Sequence, residues 1–527
     1  MGTFLGCKNL SVRFYNRSQP ILSNLTLSIN KGEKVLVLGP SGSGKSTLIS
    51  ALAGIIPVHI EADVSGEVFL RNKTGVMFQE PDAQFCMLRV DEEIAFSLEN
   101  QSIPRSEMDS IILDLMDKVG LKVDRKTPIE TLSGGLKQRL ALACLLALQP
   151  EVLFFDEPTA QLDPAGRMGI FGLLKQIAQT TNQTMVFVEH VLDGCIEWMD
   201  RVIMINEQGS IIADGKPEEI LQKFHHEMVE AGIWRPKLFP YKWVDVVENP
   251  SHPLAIELSN RFQLEPPFRS NEPLMSTENV KIGYGKKTIV KDINLDISKG
   301  EWISIIGANG SGKSTFLKSL VRLEPIKKGE IYFQNRELKK WPDRDLYEKA
   351  GFVFQNPELQ FITDSVYEEI AFGGRQRGWQ EEQIHAKTMQ LLQEFGLESH
   401  ANSHPFTLSL GQKRRLSVAT MLLFDQPLLL LDEPTFGQDE KTANELIKRL
   451  KQRQEQGTTI VMVTHDMDLV DAHSSQVILL NQGSVSYQGT PYGLFSNQEI
   501  LREAKIIPPI HYQLMHARGE RVLYEIK

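Results

Sequence analysis

Short apolar runs punctuate this chain, and they come in two kinds. Leu25-Thr26-Leu27-Ser28-Ile29 and Ile293-Asn294-Leu295-Asp296-Ile297 alternate with period two, the pattern of a strand with one buried face. Each is followed by a Lys-Gly-Glu turn, Lys31-Gly32-Glu33 and Lys299-Gly300-Glu301. Each therefore predicts a half-buried antiparallel hairpin leading into the next strand. The second kind is apolar almost throughout: Val35-Leu36-Val37-Leu38, Ile303-Ser304-Ile305-Ile306, Val152-Leu153-Phe154-Phe155, Leu429-Leu430-Leu431, Met185-Val186-Phe187-Val188 and Ile460-Val461-Met462-Val463. Runs of this length read as buried strands. Leu48-Ile49-Ser50-Ala51-Leu52-Ala53 reads as a helix, and charged amphipathic helices fill the middle of each half.

The runs repeat. Lys313 follows Lys45 by 268 positions (313 − 45), Gln355 follows Gln79 by 276 (355 − 79), and Glu433 follows Glu157 by 276 (433 − 157). A near-constant offset indicates duplication of a whole domain with a small insertion between the first two landmarks. The length alone would suggest about three or four domains; the repeat reduces these to two large ones. The boundaries are placed at 1–235, a proline-rich linker at 236–273, and 274–527 including a C-terminal extension from Ile506. Pro240, Pro250, Pro253, Pro266 and Pro267, with Trp243 and Phe268 among them, predict an extended connector tied down at a few aromatics.

Between the buried strand and the helix of each half lies a glycine-rich loop. In the first half it is Gly39-Pro40-Ser41-Gly42-Ser43-Gly44-Lys45-Ser46-Thr47; in the second, Gly307-Ala308-Asn309-Gly310-Ser311-Gly312-Lys313-Ser314-Thr315. Strand, loop and helix in this order are the context of a phosphate-binding P-loop. Glycines let the backbone wrap an anion, and successive N–H groups and the helix N-terminus face it. Lys45 and Lys313 are placed to reach the β- and γ-phosphates, and the Ser46 and Ser314 hydroxyls to ligate Mg²⁺. Upstream stand Tyr15 and Tyr284. An aromatic there can stack on a flat base; packing is an equal reading, and Phe14 competes with Tyr15.

Four further landmarks recur. Gly75-Val76-Met77-Phe78-Gln79-Glu80-Pro81-Asp82-Ala83-Gln84-Phe85 matches Gly351-Phe352-Val353-Phe354-Gln355-Asn356-Pro357-Glu358-Leu359-Gln360-Phe361. Gln79 and Gln355, at strand ends, can touch Mg²⁺ or an attacking water and also a moving partner surface. Leu132-Ser133-Gly134-Gly135-Leu136 and Leu408-Ser409-Leu410-Gly411-Gln412 open helices, whose free N–H groups suit an anion. Asp156-Glu157 and Asp432-Glu433 end buried strands. The aspartate suits Mg²⁺ and the glutamate suits the general-base role; adjacent strand residues point to opposite sides, so the two acids have different tasks. His190 and His465 end the next strands, where an imidazole can contact a γ-phosphate.

Composition excludes more than it assigns. The formal net charge of −10 is a poor footprint for a nucleic-acid coat. Cys7, Cys86, Cys144 and Cys195 are scattered without metal-ligand spacing, as buried small hydrophobes in a reducing compartment would be. No basic-then-apolar leader opens the chain, and no run of about eighteen apolar residues is present.

As an ordered set, the P-loop, glutamine loop, serine signature, acid pair, Leu162-Asp163 and Gln438-Asp439 loops and terminal histidine resemble those of the ATP-binding-cassette ATPases, over nearly the whole chain and twice. The resemblance implies an α/β fold: two tandem P-loop ATPase domains, each with a RecA-like core, an antiparallel β subdomain and a helical subdomain. It implies ATP and Mg²⁺ as cofactors, with the two cassettes pairing head to tail as a pseudo-dimer. One site would then use Lys45, Ser46, Gln79, Asp156, Glu157 and His190, closed by Ser409 and Gly411. The other would use Lys313, Ser314, Gln355, Asp432, Glu433 and His465, closed by Ser133 and Gly135. The signatures depart from the family pattern at Leu136, where Gln is usual, and at Leu410, where Gly is usual.

Within that family, FQEPDAQF, FQNPELQF and the segments Asp91-Glu92-Glu93-Ile94-Ala95-Phe96 and Tyr367-Glu368-Glu369-Ile370-Ala371-Phe372 look like those of energy-coupling-factor transporter ATPases. This implies a fused ATPase pair at the cytoplasmic face of the cell membrane, working with a transmembrane coupling subunit and a substrate-binding membrane subunit. The cargo would be a vitamin, with thiamine precursors preferred, or a metal ion such as cobalt or nickel. Three rival readings carry different sequence features. A sugar-importer ATPase would tend to have one degenerate cassette, and both acid pairs are complete. A ribosome-associated tandem factor would carry a long charged helical linker. A DNA-repair cassette protein would carry inserted zinc-binding cysteines.

Overall fold

The computed structural model describes residues 4–519 except Asn16, Ser18, Arg71, Asn72, Gln161, 264–271 and Lys286. The expectations for Pro266, Pro267, Phe268 and the last eight positions lie outside the described residues. The chain divides into two compact units: residues up to Lys242 with Asp439–Thr442, and Trp243–Gln438 with the residues from Ala443 onward.

In the first unit β1 (Leu5–Arg13), β2 (Leu22–Ile29) and β4 (Asp63–Leu70) form an antiparallel sheet in the order β2-β1-β4. The second sheet contains β3 (Lys34–Leu38), β5 (Thr74–Met77), β6 (Val152–Asp156), β7 (Thr184–Val188), β8 (Arg201–Ile205) and β9 (Ile211–Gly215), ordered β5-β6-β7-β3-β8-β9. It is parallel from β5 to β8, with β9 antiparallel at the edge. The near-continuous apolar runs are its inner strands: every residue of β7, and all of β6 except Asp156, is buried. That is what a sheet covered on both faces requires. The Phe155 and Phe187 rings stack at 4.6 Å between centroids, and the Trp198 edge meets Phe187 at 5.3 Å.

Period-two alternation in β2 gives the half-buried strand that the pattern predicts. Its antiparallel partner is β1, however, and the Lys31-Gly32-Glu33 turn leads to β3 in the other sheet. The turn is a crossing between sheets and not the bend of a hairpin. The helix α1 (Lys45–Leu52) follows the glycine loop, and α2 (Val90–Glu99), α3 (Arg105–Lys118) and α4 (Gly134–Ala147) form a helical layer. Helix α5 (Pro164–Thr180) follows, then α6 (Pro217–Lys223) and α7 (His225–Glu230).

The second unit opens with α8 (Trp243–Glu248) and α9 (Pro253–Asn260). These helices occupy a stretch whose proline content suggests an extended connector. Pro253 sits at the first helical position, where a missing N–H costs nothing, and His252 Nδ1 accepts from the Leu254 N–H at 3.2 Å. Strands β10 (Pro273–Ile282), β11 (Val290–Ser298), β13 (Ile326–Phe333) and β14 (Arg336–Glu337) form the antiparallel sheet. The core sheet, ordered β15-β16-β17-β12-β18-β19, uses β12 (Trp302–Ile306), β15 (Ala350–Val353), β16 (Leu428–Asp432), β17 (Thr459–Val463), β18 (Gln476–Asn481) and β19 (Ser484–Gly489). Its order repeats that of the first unit strand for strand. Helix α10 (Lys313–Ser319) follows the second glycine loop. After α11 (Asp343–Lys349), helices α12 (Val366–Gln376), α13 (Glu381–Glu394) and α14 (Leu410–Met421) form the helical layer.

Cys7 and Cys195 are buried and Cys144 is half-buried, but Cys86 is exposed; all four are free thiols. Cys86 departs from expectation because it lies in the loop after the glutamine block, where its neighbours cannot cover it. No described helix is long and apolar enough to cross a membrane.

One acid in the first core looks like an ordinary strand-end residue in the sequence and differs from its counterpart in the repeat, Thr464. Glu189, directly after β7, is 4% exposed. Its Oε1 accepts from Thr159 N at 3.2 Å and Thr159 Oγ1 at 2.8 Å. Burial pushes its carboxyl up to about 7, against the Thr159 hydrogen bond. An acid whose folded pKa is raised binds more protons in the folded than in the unfolded chain. Its contribution to stability therefore falls as pH rises from the ordinary carboxylate range towards 7. Replacing Glu189 by Gln should raise the melting temperature at pH 8, with wild type and variant converging near pH 5. Parallel melting curves across that range would exclude this carboxylate as a source of the pH dependence.

Candidate functional site

In both units the chemistry collects at the C-terminal edge of the core sheet. The first glycine loop leaves β3 and enters α1 through Gly42 (φ +82°) and Gly44 (φ +92°). These are left-handed conformations that L side chains adopt at a cost. A Cβ at Gly42 would meet nothing within 4 Å, so the loop's outer surface is open. Lys45, 5% exposed, turns back over the loop and donates to Gly39 O at 2.8 Å and Pro40 O at 2.9 Å. Burial pulls its ammonium pKa down, opposed by the charges of Glu157 and Asp156.

Ser46 Oγ donates to Asp156 Oδ1 at 2.9 Å. Burial pushes the Asp156 carboxyl up to about 6, against the Ser46 hydrogen bond. Glu157 has φ +50°, and its N–H donates to Val188 O at 2.9 Å. The strand end thus turns its side chain away from that of Asp156. Glu157 Oε2 accepts from Gln79 Nε2 at 2.8 Å, and its Oε1 lies 2.7 Å from His190 Nε2. Burial raises this carboxyl, but the His190 hydrogen bond and the charges of His190 and Lys45 hold it below the usual range. Asp156 and Glu157, adjacent in sequence, are thus moved in opposite directions.

The second unit repeats the frame. Lys313 Nζ donates to Gly307 O at 2.8 Å and Ala308 O at 3.1 Å, and Ser314 Oγ to Asp432 Oδ1 at 3.0 Å. Burial pushes Asp432 up to about 6. Glu433 has φ +51°, and its N–H donates to Val463 O at 2.9 Å. His465 Nε2 lies 3.2 Å from Glu433 Oε1, off the axis of a hydrogen bond. Burial raises Glu433, yet His465, Lys313 and Arg414 bring it below the usual range. Gln355 is exposed and makes no bond to Glu433, unlike Gln79.

The loops fit a phosphate. The Ser43 and Ser311 hydroxyls are buried without a partner, and a desolvated donor is costly unless a ligand accepts from it. Each lies in a glycine turn beside a buried lysine, the surroundings an anion needs. The paired serine hydroxyl and aspartate are hard oxygen donors suited to Mg²⁺.

The serine turns differ. Ser409 caps α14 reciprocally: its Oγ accepts from Gln412 N at 3.4 Å, and Gln412 Oε1 accepts from Ser409 N at 2.9 Å. Ser133 caps α4 without a side-chain bond, and Leu136, which stands where Gln412 does, has no side-chain acceptor for the reciprocal one. Gly135 and Gly411 both sit in the first turn of their helices. Tyr15 is 68% exposed and Tyr284 56% exposed, with Tyr284 Oη donating to Glu324 Oε2 at 2.7 Å. Neither is a packing residue.

Two residues of the site escaped sequence reasoning: Glu189, described above, and Arg414, whose Nη1 donates to Glu433 O at 2.7 Å. The signal for each was a mismatch within the repeat, Glu189 against Thr464 and Arg414 against Gln138.

Comparison with known proteins gives the family. A family model described as ABC transporter matches residues 22–160 and 290–436. The chain is 37% identical to the "Putative HMP/thiamine import ATP-binding protein YkoD" of Bacillus subtilis, over 98% of this chain and 97% of that one. It is 34% identical to a "Putative ABC transporter ATP-binding protein" of Methanosarcina acetivorans, over 94% and 87%. A solved structure of cbiO1 from Clostridium perfringens, described as part of the ABC transporter complex cbiONQ, is 31% identical with a TM-score of 0.40, covering 47% of this chain and 100% of its own. With the family model matching both glycine-loop regions and similarity running nearly end to end, the chain belongs to the ABC transporter family, as an ATP-binding, ATP-hydrolysing protein with a duplicated cassette.

Proposed function

We propose that this chain is the ATPase of an importer of the energy-coupling-factor type. It would sit at the cytoplasmic face of the cell membrane and drive uptake of a thiamine precursor such as HMP through a transmembrane coupling subunit and a substrate-binding membrane subunit. The observation that carries the cargo assignment is the 37% identity to the HMP/thiamine import protein over 98% of the chain. The FQEPDAQF and FQNPELQF blocks support the transporter type.

The residues support the chemistry. Lys45 and Lys313 are buried cations on open glycine loops and would hold the β- and γ-phosphates. Ser46 with Asp156, and Ser314 with Asp432, would hold Mg²⁺, which when bound neutralises phosphate charge. Glu157 and Glu433, kept ionised, would accept the proton of the attacking water. His190 and His465, 2.7 Å and 3.2 Å from those carboxylates, would orient them and contact the transferred group. Gln79 and Gln355 would sense the partner surface, with Gln79 tying that surface to Glu157. Ser133 with Gly135, and Ser409 with Gly411, would each complete the site of the other cassette; ATP binding then draws the cassettes together and hydrolysis releases them.

Glu157→Gln and Glu433→Gln should each lower MgATP turnover, and the double change should lower it by roughly 10²-fold or more while nucleotide still binds. Full activity in both single variants would remove the base assignment. Lys45→Ala and Lys313→Ala should instead weaken binding of a fluorescent ATP analogue, and unchanged affinity would exclude the phosphate-holding role. For the cargo, deleting the gene should abolish uptake of labelled HMP, and the wild-type chain, but not the Glu157→Gln/Glu433→Gln double variant, should restore it. Retained uptake, or purification with ribosomes and not membrane subunits, would overturn the assignment.

A further inference from the structure

The acid pairs of the two cassettes have nearly identical backbones, but they are held from behind by different residues. In the second cassette Arg414, in the second turn of α14, is 6% exposed. Its Nη1 donates to the main-chain oxygen of Glu433 at 2.7 Å. The same oxygen accepts from the Phe436 N–H at 3.3 Å, and the Arg414 guanidinium lies 5.5 Å from the centre of the Phe436 ring. The first cassette has Gln138 in place of Arg414 and Ala160 in place of Phe436. The loop bond survives there, Ala160 N to Glu157 O at 3.1 Å. Gln138, 0% exposed, has no partner for either amide atom. The guanidinium and the ring that faces it are thus both replaced in the first cassette.

A buried guanidinium is costly unless its interactions are strong, and the Nε of Arg414 has no partner. What it does hold is the carbonyl of a glutamate with φ +51°, a conformation that persists only where the surroundings impose it. The charges of Glu433 and Asp432 favour the cation in this place, although burial pulls its pKa down to about 10. We propose that Arg414 is a positioning residue of the second cassette. From the helix that begins at the Ser409 turn, it clamps the left-handed backbone of Glu433 and so makes placement of that carboxylate depend on the placement of α14. The first cassette achieves placement by other means: Gln79 and His190 hold the Glu157 side chain directly, at 2.8 and 2.7 Å. In the second, the glutamine makes no such bond and the histidine is 3.2 Å away. This inference rests on the reading of Glu433 as the base.

The test is steady-state MgATP hydrolysis by the full chain carrying Arg414→Gln or Arg414→Lys, each also in the Glu157→Gln background, where only the second base remains. Gln at this place is tolerated by the fold, since the first cassette carries it naturally; melting temperatures check this. Arg414→Gln should lower kcat about tenfold in that background with KM unchanged within about twofold, because a shifted base loses rate and not affinity. Arg414→Lys, still able to donate to the Glu433 carbonyl, should recover part of the loss. If the Glu157→Gln chain turns over too slowly to compare, the same kcat and KM pattern is read in the otherwise unaltered chain. Wild-type kcat in Arg414→Gln beside an impaired Glu433→Gln would overturn the positioning role alone. A parallel rise in KM, or no recovery with Lys, would do the same. Full turnover in Glu433→Gln would instead overturn the base assignment on which the role rests.

Discussion

Burial of the central parallel strands on both faces is the constraint from which the rest follows. A strand such as β7, with every residue buried, can present functional groups only where it ends. The order β5-β6-β7-β3-β8-β9 then places the glycine loop after β3 beside the end of β7, and the acid pair after β6 on the far side of β7. His190 comes within 2.7 Å of Glu157 because β6 and β7 are parallel neighbours in register, Asp156 opposite Val188. The left-handed turn at Glu157 separates two adjacent carboxylates, sending one to the Ser46 hydroxyl and the other to the histidine and glutamine.

The duplication works as an internal control. Where both halves agree, as in the lysine folded on its loop and the serine bonded to its aspartate, the agreement spans two sequences that otherwise differ at most positions. Around the glutamate they disagree. One half surrounds its side chain with hydrogen-bonding partners and buries Glu189 behind them; the other clamps its main chain with Arg414 and leaves Gln355 exposed. The serine turns differ as well, since Gln412 completes a cap that Leu136 cannot. These differences give the two cassettes distinct local mechanics on one frame.

Much of this frame was legible in the chain itself. Continuous apolar runs marked the inner strands, and the glycine loops, acid pairs and strand-end histidines are where strand–loop–helix logic places them. What could not be read were facts of pairing and packing. The alternation in β2 shows that one face is buried but not which strand lies beside it; β1 is its partner, and the turn after it crosses to another sheet. Prolines in the stretch after Lys242 suggested extension, whereas Pro253 opens a helix, a position where proline is favoured. Glu189 and Arg414 look like ordinary charged residues because nothing local announces that tertiary packing will bury them. Only the mismatch with their counterparts in the other half hinted at a special role.

The electrostatics of the site follow from the same burial. Desolvation pushes Asp156 and Asp432 up to about 6 and pulls the Lys45 ammonium down, so these groups stand at a free-energy disadvantage in the bare chain. A divalent cation held by the aspartates and a phosphate held by the lysine would each reverse that disadvantage, because each would supply the opposite charge at a desolvated position. The glutamates need no such help: their histidines and lysines already favour the ionised form. Binding free energy and folding free energy are therefore coupled at the same few atoms. A ligand that carries both charges gains more from the pair of positions than separate ions would, because one association step compensates both buried groups.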